Sequence, residues 1–149
     1  MFDPSTVFSI ANTTAALAWG LLLLSPPGRR WTPAVWRLTG RVLPLVFGLL
    51  YVTLLAVHWR GEGGFGSLAE VQALFDVPGA LVAGWVHYLA FDLFVGTWIA
   101  QRAAALKLPH WQMVPVLLLT FLFGPAGLLA FMGLRALRRP NALAWQAAA

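Results

Sequence analysis

The sequence predicts an all-α integral membrane protein, a bundle of four transmembrane helices with a short amphipathic helix between the second and the third. Of its 149 residues, 60% are hydrophobic and only 10% are charged. A soluble domain carries roughly a quarter charged residues, so this chain cannot cover itself with a polar surface. Four apolar runs approach the roughly 20 residues that cross a bilayer. The sequence therefore predicts a single membrane domain spanning residues 1–149.

The four apolar runs set the predicted spans, which are about Thr6–Leu24, Leu38–His58, Gly79–Arg102 and Trp111–Leu134. A Ser-Pro-Pro-Gly sequence ends the first run, and a Leu-Pro pair separates the third from the fourth. The first run begins almost at the N-terminus without a basic region before it. No removable signal or transit peptide is therefore expected.

A short amphipathic helix is predicted between the second and third spans. Ser67 and Glu70 have the spacing of a capping box. Apolar residues follow at helical spacing, namely Leu68, Val71, Leu74 and Phe75. We expect this helix to lie on the membrane surface.

Tryptophans and basic residues near the span ends are typical of membrane interfaces. The tryptophans expected in an interfacial belt are Trp19, Trp59, Trp85, Trp98 and Trp111. The loops after spans one and three carry six basic residues: Arg29, Arg30, Arg37, Arg41, Arg102 and Lys107. The opposite side of a four-span protein carries four: Arg60, Arg135, Arg138 and Arg139. The positive-inside rule then predicts that both termini lie outside the cytoplasm.

Polar residues interrupt the apolar runs at one depth. With spans one and three parallel and spans two and four returning, one half of the bilayer holds Asn12, Tyr51, His87, Gly124 and Pro125. Asp92 lies close to the midplane, where an ionised aspartate costs about 2.5–3.5 kcal/mol on insertion scales. Either Asp92 and His87 only tie helices together by hydrogen bonds, or they line a site. Their convergence at one level favours a site.

The helical spacing within span three separates His87 from Asp92. At about 100° per residue the two side chains point about 140° apart, so they are not expected to bond each other. Tyr88 and Asp92, at i and i+4, can meet. In span four, Pro125 has no N–H to donate and predicts a kink beside Gly124. The small residues beside this kink serve either close helix packing or a ligand slot, and the sequence does not favour one of these over the other.

Other signals carry little weight. Residues 61–66 match a GxGxxG pattern, but they follow a membrane helix rather than a strand, which argues against a dinucleotide site. His58 and His87 at different depths are a weak pair for haem. No metal site is predicted, and cysteine is absent, which excludes disulfides and thiolate ligands. Basic residues at span ends argue against nucleic acid as a partner.

Three segments carry a resemblance to a known family: VFSIANTTAALAWGLLLLSP, GWVHYLAFDLFVG and LTFLFGPAGLLAF. The second contains a W-x-H-x-L-x-x-D-L-F core that starts at Trp85 and ends at Phe94. Together they resemble the family of the plant abscisic-acid-deficient four-helix membrane protein, which is required for neoxanthin formation and has bacterial relatives. The similarity covers nearly the whole chain after Val7.

That resemblance implies xanthophyll chemistry, the conversion of the epoxycarotenoid violaxanthin into an allenic product. The matching motif positions are Asn12, His87, Asp92 and Pro125. Such a reaction needs an acid at the epoxide oxygen and a base at a neighbouring carbon, with no cofactor required in principle. We assign Asp92 as acid and His87 as base, or the reverse, with Asn12 or Tyr51 as orienting groups. The expected substrate-binding residues are Asn12, Tyr51, Tyr88, Gly124 and Pro125.

Two other functions fit the same residues. The first is a non-catalytic subunit that holds a carotenoid or another isoprenoid lipid, as a homo-oligomer or within a larger membrane complex. The second is a transporter or channel component, because intramembrane Asp and His can relay protons. Pigment bound in stoichiometric amounts would indicate the first, and ion flux that depends on Asp92 would indicate the second.

Overall fold

All regular secondary structure in the described residues is helical. The computed structural model describes residues 3–59 and 63–137, and no strand occurs in them. The helices are α1 (Pro4–Leu23), α2 (Thr32–Arg37), α3 (Leu43–His58), α4 (Leu68–Phe75), α5 (Pro78–Ala105), α6 (His110–Phe123) and α7 (Pro125–Leu137). The all-α class is thereby confirmed for these residues. The extent of the domain, residues 1–149, stays a prediction.

Three helical segments are long and apolar enough to cross a membrane. They are Pro4–Leu23, Thr32–His58 and Pro78–Ala105, and they coincide with the first three predicted spans. The helices α6 and α7 are shorter, with 14 and 13 residues. By length and composition, the chain is therefore a membrane protein whose last segment has a different form.

Local sequence signals explain where α1 and α4 begin. The Asp3 carboxylate accepts a hydrogen bond from the backbone N–H of Thr6 at 3.0 Å, and Pro4 stands in the first turn, where its missing N–H costs nothing. The Ser67 hydroxyl accepts from the backbone N–H of Glu70 at 3.2 Å. The predicted short helix is thus present, and its residue Leu74 is buried.

A π-helical turn bends the second span before α3. Leu43 donates its N–H to the carbonyl of Leu38, five residues back, and Pro44 follows directly. Since Pro44 has no N–H and its ring clashes with the carbonyl four residues earlier, the wider turn relieves that clash. The Thr39 hydroxyl on this turn is buried and lies 2.7 Å from the hydroxyl of Thr97 on α5.

Helix α5 forms the centre of the bundle, and small residues on it let its neighbours approach. Trp19 of α1 lies so close to Gly96 that a Cβ at Gly96 would overlap the indole ring. Trp19 is fully buried and stacks on Phe121, with ring centroids 5.3 Å apart. The interfacial belt predicted for Trp19 is therefore wrong, because the missing side chain at Gly96 makes room for the indole inside the bundle.

The region predicted as a fourth span is a helical hairpin. One span is expected over Trp111–Leu134, but the chain reverses at Gly124, whose φ is +45°. Across the reversal, Gly127 packs so tightly on Thr120 that a Cβ would overlap it. In a continuous helix, residues seven apart are separated by about 10 Å along the axis. The close contact between Gly127 and Thr120 therefore requires the chain to turn back between them. We call α6 and α7 together the α6–α7 hairpin.

The direction of α7 follows from its contact with α5. Gly124 lies beside Asp92, whereas Phe131 packs on Trp98 with ring centroids 5.8 Å apart. Trp98 lies nearer than Asp92 to the C-terminal end of α5. The helix α7 therefore runs back toward the level at which α6 began.

We expect Gly96→Ala to destabilise the protein, because the added methyl group would overlap the buried Trp19 ring. Overpacking of this kind costs about 1–3 kcal/mol. The matched control is Gly48→Ala in α3, since a Cβ there has nothing within 4 Å. Thermal unfolding in detergent would measure both variants. Equal unfolding temperatures for both would contradict the packing described here.

Candidate functional site

A buried carboxyl group lies in the middle of the bundle. Asp92 is 9% exposed, and its Oδ2 atom is buried without a hydrogen-bond partner. Among the described residues, the other buried side-chain nitrogen or oxygen in this condition is the indole nitrogen of Trp36. A buried carboxyl with a free oxygen is costly in a membrane, which makes Asp92 a candidate for function.

The tip of the α6–α7 hairpin lies against Asp92. A Cβ placed on Gly124 would lie 2.8 Å from the Asp92 Oδ1 atom, so only glycine leaves room for the carboxyl group. The positive φ of Gly124 also favours glycine. Helix α7 begins at the next residue, and the partial positive charge of a helix N-terminus attracts a carboxylate. The predicted break at Gly124 and Pro125 thus borders Asp92.

Tyr88 lies one helical turn before Asp92 and donates a hydrogen bond to its carboxyl group. The Tyr88 ring stacks on Trp85 at a centroid distance of 5.4 Å. The Trp85 indole N–H in turn donates to the Asn12 side-chain oxygen on α1 at 3.3 Å. The residues Asn12, Trp85, Tyr88, Asp92 and Gly124 thus form a contiguous set, which we call the Asp92 cluster.

His87 lies outside this cluster. Its side chain is exposed and stacks on Tyr51 of α3 and on Phe91, with centroid distances of 5.2 and 4.6 Å. Tyr51 and His87, which are expected in the same half of the bilayer, are therefore in contact. His87 thus contacts α3, whereas the Asp92 cluster contacts α1 and the tip of the α6–α7 hairpin.

The hairpin leaves part of α5 uncovered. Its tip reaches only the level of Asp92, and at the other end Phe75 of α4 covers Gly84, where a Cβ would lie 2.7 Å from the ring. Between these two levels Trp85 is 40% exposed and Phe91 is 59% exposed, while Tyr88 is half-buried. We call this face of α5, from Gly84 to Asp92, the notch.

The sequence predicts that Trp85 belongs to the interfacial belt, whereas the structure places it in the Asp92 cluster. Its spacing to Tyr88 and Asp92 offered a signal, because positions i, i+3 and i+7 lie along one face of a helix. The sequence indicates this alignment, but it does not show that Asn12 on α1 would accept a hydrogen bond from the indole. That contact depends on the packing of α1 against α5.

A second feature is an apolar groove between α1 and α3, away from Asp92. It encloses about 550 Å³ and is lined by residues including Val7, Val46, Leu50, Leu54, Val57 and His58. The His58 ring packs on Gly79 and its Nδ1 lies 2.9 Å from the Leu54 carbonyl oxygen. Within the described residues, no group of three or more His, Asp or Glu side chains could hold a metal ion.

Comparison with known proteins places the chain in a family. A family model described as ABA DEFICIENT 4-like matches residues 6–131. The chain belongs to this family. The ABA DEFICIENT 4-like family is linked to the biology of carotenoids and of the xanthophyll neoxanthin, in agreement with the resemblance found in the sequence. The match includes every residue of the Asp92 cluster. No curated protein and no solved structure matched the chain.

We expect Asp92→Leu to leave the stability of the protein unchanged or to raise it, because removing the buried, unpartnered Oδ2 atom offsets the loss of the Tyr88 hydrogen bond. The comparison variant is Thr97→Val, which removes a buried, hydrogen-bonded hydroxyl from the same helix and costs about 1 kcal/mol. Thermal unfolding in detergent measures both. A larger loss for Asp92→Leu than for Thr97→Val would show that the carboxyl group is structural.

Proposed function

We propose that this protein isomerises an epoxy-xanthophyll, such as violaxanthin, into an allenic alcohol by acid–base chemistry at Asp92. The observation that carries the proposal is a buried carboxyl group with a free oxygen at the edge of a lipid-open notch. The membership of the chain in a family linked to neoxanthin supports an epoxy-xanthophyll as the substrate class.

The chemistry suits a single carboxyl group. A proton is added to the epoxide oxygen and one C–O bond opens. A proton then leaves the neighbouring vinylic carbon, whose electrons form the second double bond of the allene. Proton gain equals proton loss, so the product is an isomer of the substrate. Because a carboxyl group has two oxygens, Asp92 can donate from one and accept at the other, and it is restored at the end of the turnover.

The neighbours of Asp92 orient the carboxyl group and the ring of the substrate. Tyr88 holds the carboxyl by a hydrogen bond, and Asn12 fixes the indole of Trp85. The aromatic rings of Trp85, Tyr88 and Phe91 present an apolar wall to the end ring of a carotenoid. A hydrophobic substrate reaches the notch sideways from the lipid, without passing through water. His87 and Tyr51 lie on the side of α5 that faces α3, where His87 contacts Phe91, and they have no place in this step.

The proposal predicts that Asp92→Asn lowers the rate of conversion by at least about 100-fold, the usual contribution of a general acid or base. Proteoliposomes loaded with violaxanthin would be sampled over time and the isomers separated by chromatography, since they share one mass. The control is Asp76→Asn, an exposed aspartate before α5, which should convert at the wild-type rate.

Two further variants refine this test. Tyr88→Phe should slow conversion less than Asp92→Asn, because it removes only a hydrogen bond to the carboxyl. His87→Ala should have a smaller effect than either, given its separate position on α5. Full activity of Asp92→Asn, or a loss in His87→Ala as large as in Asp92→Asn, would contradict the assignment of roles.

A second candidate function is a non-catalytic subunit that binds a carotenoid or lipid, alone or within a larger complex. The groove of about 550 Å³ between α1 and α3 favours it, because the groove is apolar and lies away from Asp92. This function predicts pigment bound in stoichiometric amounts and retained by Asp92→Asn. Loss of pigment from Leu50→Trp, which fills the groove, with no loss in Asp92→Asn, would favour the binding role.

A further inference from the structure

The charges of the described residues are separated between the two ends of the bundle. All seven described Lys and Arg residues lie in the half that contains the turn between α1 and α2: Arg29, Arg30, Arg37, Arg41, Arg102, Lys107 and Arg135. The acidic residues Asp3, Glu70 and Asp76 lie at the opposite end, and Asp92 lies between them. Among the described residues, all Lys and Arg side chains therefore lie at one end of the bundle, which we call the basic face.

The position of Arg135 depends on the hairpin. Helix α6 has 14 residues and a length of about 21 Å, which is half the length of the 28-residue α5. It reaches from the end of α5 back to the level of Asp92, and α7 returns over a similar length. If α7 had continued the crossing, Arg135 would instead lie with Asp3 and Asp76.

Both arms of the hairpin have the surface of a membrane-embedded segment. Leu129 and Leu137 of α7 are 72% and 88% exposed, whereas Phe131 on the same helix is fully buried against the bundle. An apolar exposed side and a packed inner side are expected of a helix surrounded by lipid. The irregular backbone at Gly124 is buried against α5, as backbone at membrane depth must be.

We propose that α6 and α7 form a re-entrant hairpin, which enters and leaves the membrane at the basic face, and that this face binds the anionic headgroups of the cytoplasmic leaflet. The chain then crosses the membrane three times. The beginning of α1 lies outside the cytoplasm and the end of α7 lies on the cytoplasmic side, so the orientation expected for the C-terminal end changes. The positive-inside rule, ambiguous for four spans, then finds all seven described basic residues on one side, while Arg60 follows the second span and counts on the other side.

Single-cysteine labelling tests this topology directly, because the chain has no cysteine of its own. Three exposed positions are replaced: Gln72→Cys on α4, Ala105→Cys at the end of α5, and Leu137→Cys at the end of α7. None of these removes a charge. A membrane-impermeant maleimide is applied to intact spheroplasts and to inverted vesicles, and the labelled fraction is measured in each.

We expect Gln72→Cys to label in spheroplasts, and both Ala105→Cys and Leu137→Cys to label at least about tenfold more in inverted vesicles. Labelling of Leu137→Cys together with Gln72→Cys would establish a fourth crossing and overturn the hairpin. Labelling of Gln72→Cys and Ala105→Cys on one side would overturn the crossing of α5.

The headgroup contact is tested with purified protein in vesicles containing phosphatidylglycerol. The double variant Arg29→Gln/Arg30→Gln should reduce crosslinking to the anionic lipid. Unchanged crosslinking would overturn the headgroup contact.

Discussion

The packing of other helices on α5 is the constraint on which the rest of the structure depends. The helices α1, α3, α4, α6 and α7 all contact it. Close approach requires small residues at the contacts, and Gly79, Gly84 and Gly96 supply them for His58, Phe75 and Trp19. Association of membrane helices relies on such packing, because lipid removes the hydrophobic driving force. The position of Asp92 on this central helix places its carboxyl group beside the hairpin tip.

The hairpin and the candidate site depend on one another. A reversal at membrane depth exposes backbone polar groups, which is tolerated only where protein covers them. Gly124 is buried against α5, and the Asp92 carboxyl fills the space that a side chain at Gly124 would take. Because the chain turns back here, the face of α5 beyond Asp92 stays open. The same reversal thus buries the carboxyl group and leaves the notch next to it.

Much of this arrangement could be predicted from the sequence, and the exceptions have a common cause. Local signals, such as the cap at Ser67 and the i, i+4 pair of Tyr88 and Asp92, lie within one helix and are present in the structure. The hairpin and the burial of Trp19 depend on contacts between helices. Hydropathy cannot distinguish one span from two half-length helices, since both are apolar. The glycine before Pro125 indicated a break, but not its angle.

The form of the last helical segment also explains why the orientation is hard to predict from the sequence. For four spans, basic residues occur on both sides in similar numbers, and the rule that depends on their asymmetry has little force. With the hairpin, Arg135 joins Arg102 and Lys107, and the asymmetry becomes complete for the described residues. The notch then lies in the half of the bundle opposite the basic face. In the proposed topology, a substrate dissolved in the lipid reaches Asp92 from the non-cytoplasmic leaflet, while the α6–α7 hairpin packs on the other half of α5.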